Sequence, residues 1–302
     1  MTEFASFDLE ARGARLEVLE AGDPSKPPVV FIHGLRDVAW SLTHIAAPFA
    51  GRHHILLPGL RGHGNSDHPG TYGMENFIHD LYVLVDQRCA QPPIIVGHSL
   101  GGQIGVRFAA LFPEMVQGFV CIEGLGPPTR PDEEGPQQFI EGYRARLMQH
   151  FSTAPASRGM TDVSEAQARL RRNNPRISDE IAHRVARHAT RQDEDGRLRW
   201  NFDHHAQVVF MRTDRLESER FWRAVTCPTL IISGDLSYEY WGPMIDQPGY
   251  TGHYGQGEMD ARAAMFANAH HVPFDRSGHM VHYDEPQRLI TAIENFIKEL
   301  PS

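Results

Sequence analysis

The chain is poor in cysteine and has neither a long apolar run nor an excess of basic residues. Its three cysteines, Cys89, Cys121 and Cys227, stand far apart in apolar surroundings. Neither a disulfide framework nor a metal cluster is therefore expected of them. No apolar stretch approaches the roughly 20 residues of a membrane-spanning helix. The opening MTEFASFDLE lacks the basic and apolar regions of a secretory signal. Acidic residues outnumber Lys and Arg by 38 to 29, for a net charge of −9, which argues against a nucleic acid as main partner. HExxH and CxxC are absent. The histidine pairs His53-His54, His204-His205 and His270-His271 are adjacent, which does not place two imidazoles on one helix face. The expectation is a reduced, cytoplasmic protein with no metal centre, no membrane span and no nucleic-acid partner.

What is present has the order of an α/β protein. With 41% apolar and 22% charged residues over 302 positions, the chain can bury one large core. FASFDLE and ARLEVLEAG form an early antiparallel pair. Short, wholly apolar runs then follow in PPVVFIHG, HHILLPGL, PPIIVGHS and VQGFVCIEG, as strands buried on both faces do. VAWSLTHIAAPFA, MENFIHDLYVLVDQRC and GGQIGVRFAALF between them have helical period. Strand–helix alternation with short links predicts a mostly parallel, doubly wound sheet. Alternation stops from about Pro127 to Phe221. There the pattern is helical, with a capping box at Ser164 and Gln167 and an N-cap at Ser178. It resumes with CPTLIISGD, DARAAMFANA, HHVPF and PQRLITAIENFIKEL. The division read from this is a core of residues 1–126 and 222–302 carrying an inserted helical cap, 127–221.

GHSLGG, residues 97–102, lies where an apolar strand must turn sharply into a helix. The G-x-S-x-G spacing lets the backbone bend so hard that Ser99 projects from the sheet edge. A nucleophilic serine needs a base, and the base an orienting acid. His279, in DRSGHMVHYDEP, sits in the loop after the last apolar strand and so at the same carboxyl edge as Ser99. His282 is its neighbouring competitor. Leu100 begins a helix, whose free N–H groups and positive dipole end favour a developing oxyanion.

FIHGL at 31–35, LRGHGNSD at 60–67, GHSLGG at 97–102 and SGHMVHYDEP at 277–286 together resemble the α/β-hydrolases. The likeness runs through the whole core. In the cap, LRRNNPRISDEIA and EDGRLRWNFD resemble the serine hydrolase-like, esterase branch. The resemblance implies that the backbone N–H groups of Leu35 and Leu100 form an oxyanion hole and that His33 organises its loop. Arg61 and His63 are read as tying a loop by hydrogen bonds, and His98 as either touching the pocket or pointing inward in a structural role. The sequence departs from the family where the acid commonly stands, since Ser237 occupies that place and a hydroxyl is no fixed anion. Two carboxylates remain. Glu123 ends an apolar strand and is the preferred acid, and Asp235, next to Gly234, is the alternative.

A Ser-His-acid set with two backbone donors is an acyl-transfer machine that asks for no cofactor. Serine at the elbow disfavours dehalogenase and epoxide hydrolase chemistry. Ester hydrolysis is the main reading, with thioester, lactone, amide or carbon–carbon bond cleavage beside it. Relatives on the same fold also include cofactor-free oxygenases and ligand-binding proteins. Trp40, Trp200 and Trp241 suit either the core or a pocket for a small, largely apolar acyl substrate. Arg169, Arg171 and Arg172 are read as a solvated face, and the long segment from Ser237 to Met259 as a gate.

Overall fold

The computed structural model of the protein describes residues 2–130, 135–151, 158–212, 214–244 and 249–301. Its strands are β1 (Ala5–Ala11), β2 (Ala14–Ala21), β3 (Pro28–Ile32), β4 (His54–Pro58), β5 (Ile94–His98), β6 (Gly118–Ile122), β7 (Thr190–Gln192), β8 (Leu198–Trp200), β9 (Thr229–Gly234) and β10 (Ala269–Phe274). Eight of them form one sheet in the order β1-β2-β4-β3-β5-β6-β9-β10, in which only the β1/β2 and β2/β4 pairings are antiparallel. This is the α/β-hydrolase fold, a mostly parallel doubly wound sheet.

Side-chain alternation along each buried strand explains its two faces. Val30, Ile32, Ile95, Phe119, Cys121 and Ile231 point into one apolar layer, where helices Met74–Arg88 and Leu100–Leu111 pack. Val29, Phe31, Ile94, Val96, Val120, Ile122, Leu230 and Ile232 point into the other, against the final helix Pro286–Glu299. Strands buried on both faces have no polar side to show, hence the unbroken apolar runs in the sequence.

Chain order reverses at β3, with β4 on one side and β5 on the other. That switch point opens a crevice at the carboxyl edge of the sheet. The residues just past β3, β5, β6 and β10 all emerge there.

Three local details differ from the sequence reading. VAWSLTHIAAPFA, whose helical period predicts one helix, is broken into 3-10 turns around the four-residue helix Thr43–Ala46. The helix Val163–Asn173 is capped by Asp162, not Ser164: the Asp162 carboxylate accepts from Glu165 N–H at 2.9 Å, while Glu165 reaches back to Thr161 N–H at 2.8 Å. The cap therefore lies two residues earlier than expected, and Gln167 takes no part in it, its amide facing Asp179 instead. β7 and β8 pair as a small antiparallel ribbon that the sequence did not announce, because its half-exposed residues carry no apolar run.

Between β6 and β9 no residue among those described joins the main sheet. The segment supplies helices Pro136–Phe151, Val163–Asn173, Asp179–His188 and Arg215–Ala224. Position 221 falls inside the last of these, whose Trp222 is buried in the core layer beside helix Leu100–Leu111. No helix among the described residues is long and apolar enough to cross a membrane.

Candidate active site

β5 ends at His98 and the next helix begins at Leu100, so Ser99 alone makes the turn. Its backbone sits at φ 52°, ψ −114°, a region that costs a non-glycine residue about 1–3 kcal/mol. The surroundings hold it there. Ser99 N–H donates to Ile122 C=O at 2.9 Å, and Ser99 C=O accepts from Gln103 N–H at 3.1 Å. Glycine is required on either side by close approach: a Cβ at Gly97 would run into the carbonyl of Gly101, and one at Gly101 into that of Ile32.

His279 lies in the loop between β10 and the last helix. Its Nε2 is 3.0 Å from Ser99 Oγ, and its Nδ1 is 3.0 Å from Glu123 Oε2. A ring that donates Nδ1–H to a carboxylate keeps Nε2 as an acceptor, facing the serine hydroxyl. The second Glu123 oxygen accepts from Gly234 N–H at 2.7 Å. Both carboxylate oxygens are thereby committed, and the Glu123 side chain is shut off from solvent. Glu123 is also in the left-handed region, at φ 51°. That turn lets a strand-end residue fold its side chain back beneath the loop that carries His279.

Asp235, the alternative acid, is exposed and one residue beyond β9. Its N–H continues the sheet ladder to Phe274 C=O at 3.0 Å, and no bond joins it to His279 among the described residues. Ser237 is buried with an unpartnered hydroxyl.

The amides of Leu35 and Leu100 donate to no group among the described residues. Leu100 opens a helix, where an N–H is unpartnered by construction. For Leu35 the neighbouring peptide supplies the reason. His33 Nδ1–H donates to Gly34 C=O at 2.8 Å while Nε2 accepts from Leu60 N–H at 3.0 Å. In a trans peptide C=O and N–H point opposite ways, so tying back the Gly34 carbonyl turns the Leu35 N–H away from His33. A Cβ at Gly34 would lie 3.1 Å from that of Ser99, which puts this peptide beside the serine. Arg36 follows at φ 61°, its N–H held by His63 Nε2 at 3.0 Å. Burial lowers the His63 pKa to about 4 and pushes that of His33 well below the usual histidine range, so both rings are neutral and can play these two-sided roles.

Two further side chains lie against His279: Trp241, which the sequence offered for core or pocket, and Tyr240, which it did not single out. Tyr240 stacks on the His279 ring at 4.0 Å, nearly parallel, and Trp241 meets it edge-on at 5.0 Å. Both belong to helix Tyr238–Met244, in the segment read as a gate. His98, left open between pocket and structure, lies against the site: its Nε2 is 2.8 Å from the His279 carbonyl oxygen. Trp40 stacks on His188 at 3.8 Å, and Trp200 packs among the helices between β6 and β9, so neither adjoins His279 as Trp241 does. Arg169 and Arg171 pair with Glu165 and Asp179, and Arg172 is exposed.

The sequence profile of the alpha/beta hydrolase family matches residues 29–292. Epoxide hydrolase A of Mycobacterium tuberculosis is 30% identical over 147 residues, 47% of this chain; the chain spans only 44% of that protein's length. The 2-(acetamidomethylene)succinate hydrolase of Mesorhizobium japonicum is 28% identical over 235 residues, 78% of this chain and 79% of that one. Among solved structures, a thioesterase domain from the curacin biosynthetic pathway superposes with a TM-score of 0.81 at 22% identity, covering 97% of this chain and 99% of that one.

Proposed function

The chain belongs to the alpha/beta hydrolase family, and from that premise we propose that it is a serine hydrolase cleaving carboxylic esters or related acyl bonds. The reading is carried by one observation, the relay Ser99 Oγ–His279 Nε2 and His279 Nδ1–Glu123 Oε2, each step at 3.0 Å. In it Ser99 Oγ attacks the acyl carbon as His279 takes its proton. The carbonyl oxygen, now negative, accepts from the Leu35 and Leu100 amides. His279 then returns the proton to the leaving oxygen, and water, deprotonated by the same ring, clears the acyl-enzyme. Glu123 holds the ring in the required tautomer.

A hydroxyl nucleophile also separates this chemistry from epoxide opening. Attack of Ser99 on an epoxide carbon would leave an ether, which activated water does not hydrolyse, whereas attack on an acyl carbon leaves a hydrolysable ester. Residues 127–221 act in this reading as a cap that selects the substrate. Tyr240 and Trp241 wall the base and favour a small, largely apolar acyl group.

The test is direct. A fluorophosphonate should add one phosphonyl mass to the peptide containing Ser99, and p-nitrophenyl acetate should be hydrolysed by the wild type and not by Ser99→Ala. Wild-type turnover in the variant, or no adduct at Ser99, rejects the serine mechanism. Esters of graded chain length then report the pocket.

A further inference from the structure

Beside the relay lies a group of buried side chains that the proposed reaction does not use. Asp37, His98 and His282 come from three separate segments: the loop after β3, the end of β5 and the short helix Val281–Asp284. One carboxylate oxygen and one ring nitrogen from each histidine all lie within 4.8 Å of one another, and all three residues are buried.

The hydrogen bonding around them is incomplete in a specific way. His98 Nε2 faces the carbonyl oxygen of His279, which can only accept, so Nε2 carries the proton. In the neutral ring Nδ1 is then a bare lone pair, and it has no partner. His282 is fully buried, and neither of its ring nitrogens has a partner. Asp37 accepts from Ser41 Oγ at 2.6 Å through one oxygen. A neutral His282 carries one N–H and one lone pair, so with His98 Nδ1 the cluster holds two bare, buried lone pairs; each unsatisfied group costs about 1–3 kcal/mol, and together they call for a ligand that takes lone pairs.

We propose that Asp37, His98 and His282 bind a divalent cation of the zinc class, which ties the oxyanion loop, the nucleophile strand and the base-bearing segment to one another. Two imidazoles and a carboxylate form a donor set that zinc accepts, leaving a position for a further ligand. Zinc–ligand bonds of about 2.0–2.2 Å separate tetrahedral donors by about 3.3–3.6 Å, so a spread of up to 4.8 Å closes with side-chain rotations of about an ångström. His98 and His282 are both buried, which favours the uncharged imidazole that ligates metals. The ion would act structurally. By polarising the His98 ring it strengthens the Nε2–H bond to the His279 carbonyl, and so positions the base.

The experiment uses the full-length protein after dialysis against a chelator, titrated with Co2+ and with Zn2+. The expected result is one equivalent bound, a visible Co2+ absorption of low-coordinate type, and a melting temperature that rises on metal addition. Asp37→Asn and His282→Gln should each weaken Co2+ binding by more than about 100-fold, with the absorption lost and the far-ultraviolet circular dichroism kept. The double variant His204→Gln/His205→Gln, away from the cluster, should keep the signal. Absence of stoichiometric binding to the wild type overturns the proposal even if a variant fails to fold. So does binding that survives in both cluster variants or disappears with His204 and His205, which would mark surface histidines as the ligands. Every readout is metal binding, so failure of the hydrolase reading leaves this test intact.

Discussion

Glu123 and Ser99 are both non-glycine residues with positive φ, at 51° and 52°, and they meet through one imidazole. If Glu123 orients His279, Glu123→Gln should lower kcat by about 10³–10⁴, because an amide presents the wrong tautomer partner. Asp235→Asn should stay within about twofold of wild type, since that side chain is exposed and makes no bond to His279 among the described residues. Equal losses in the two variants, measured on p-nitrophenyl acetate, would reject Glu123 as the acid. The strain at Ser99 has its own readout. Ser99→Gly relieves a backbone conformation costing about 1–3 kcal/mol but frees the unfolded chain by about 0.4–1 kcal/mol. The variant should therefore be inactive yet more stable by about 1 kcal/mol, as a rise in the urea midpoint at unchanged slope. A fall in the midpoint would mean the surroundings do not force this geometry on the serine.

At the scale of elements, the loop 60–67 is fixed to helix Met74–Arg88 by a buried ion pair. Arg61 Nε and Nη2 meet the two Asp80 oxygens at 2.7 and 2.5 Å, with both side chains almost fully enclosed. Burial raises the Asp80 pKa even though Arg61 pulls it down, so desolvation is the larger influence on the carboxylate. Removing one partner leaves a buried charge unpaired. Asp80→Asn should therefore destabilise the fold by about 3–5 kcal/mol, whereas replacing both partners with apolar residues, Arg61→Met with Asp80→Leu, should recover most of that loss. Urea unfolding of the three proteins distinguishes these outcomes, and equal stability of Asp80→Asn and wild type would show that the pair contributes nothing. This loop matters beyond its own stability, because His63 within it holds the Arg36 amide next to the Leu35 peptide.

For the molecule as a whole, the buried neutral histidines make stability depend on acid. His63 has its pKa lowered to about 4 by burial, among the Arg61 carbonyl, Arg36, His68 and Asp203, while in the unfolded chain it returns to about 6.5. The unfolded state thus takes up a proton first as pH falls. The contribution is fully present above about pH 6.5, is lost as pH drops toward 4, and amounts to about 3 kcal/mol at most. His63→Gln should be less stable at pH 7.5 but show a shallower decline between pH 6.5 and 4.5 than the wild type. Parallel declines, followed by urea midpoints at several pH values, would show that His63 titrates normally in the folded state.

Local sequence alone settled the elements whose physics is local. An unbroken run such as Pro28–Ile32 can only be a strand covered on both faces, and the crowding of Gly97, Ser99 and Gly101 can only be a sharp turn. Strand–helix alternation with short links then dictated a parallel sheet and put Ser99, Glu123 and His279 at one edge. The caps were legible to within two residues, because Asp162 and Ser164 compete for the same orphan amides and only the folded turn chooses. What the sequence left open were matters of side-chain direction. Glu123 and Asp235 each end or follow a strand at that edge. Glu123 faces His279 because of the left-handed turn at Glu123 and the Gly234 N–H that donates to its second oxygen, neither of which has a sequence pattern. The Tyr240 and Trp241 rings lie on His279 because a helix after β9 folds back over the crevice. Asp37, His98 and His282 converge only because β3 and β5 are neighbours in the sheet and the helix at Val281 packs beside them. Contacts between segments far apart in the chain leave no periodicity to read, and they exist only once the sheet has closed.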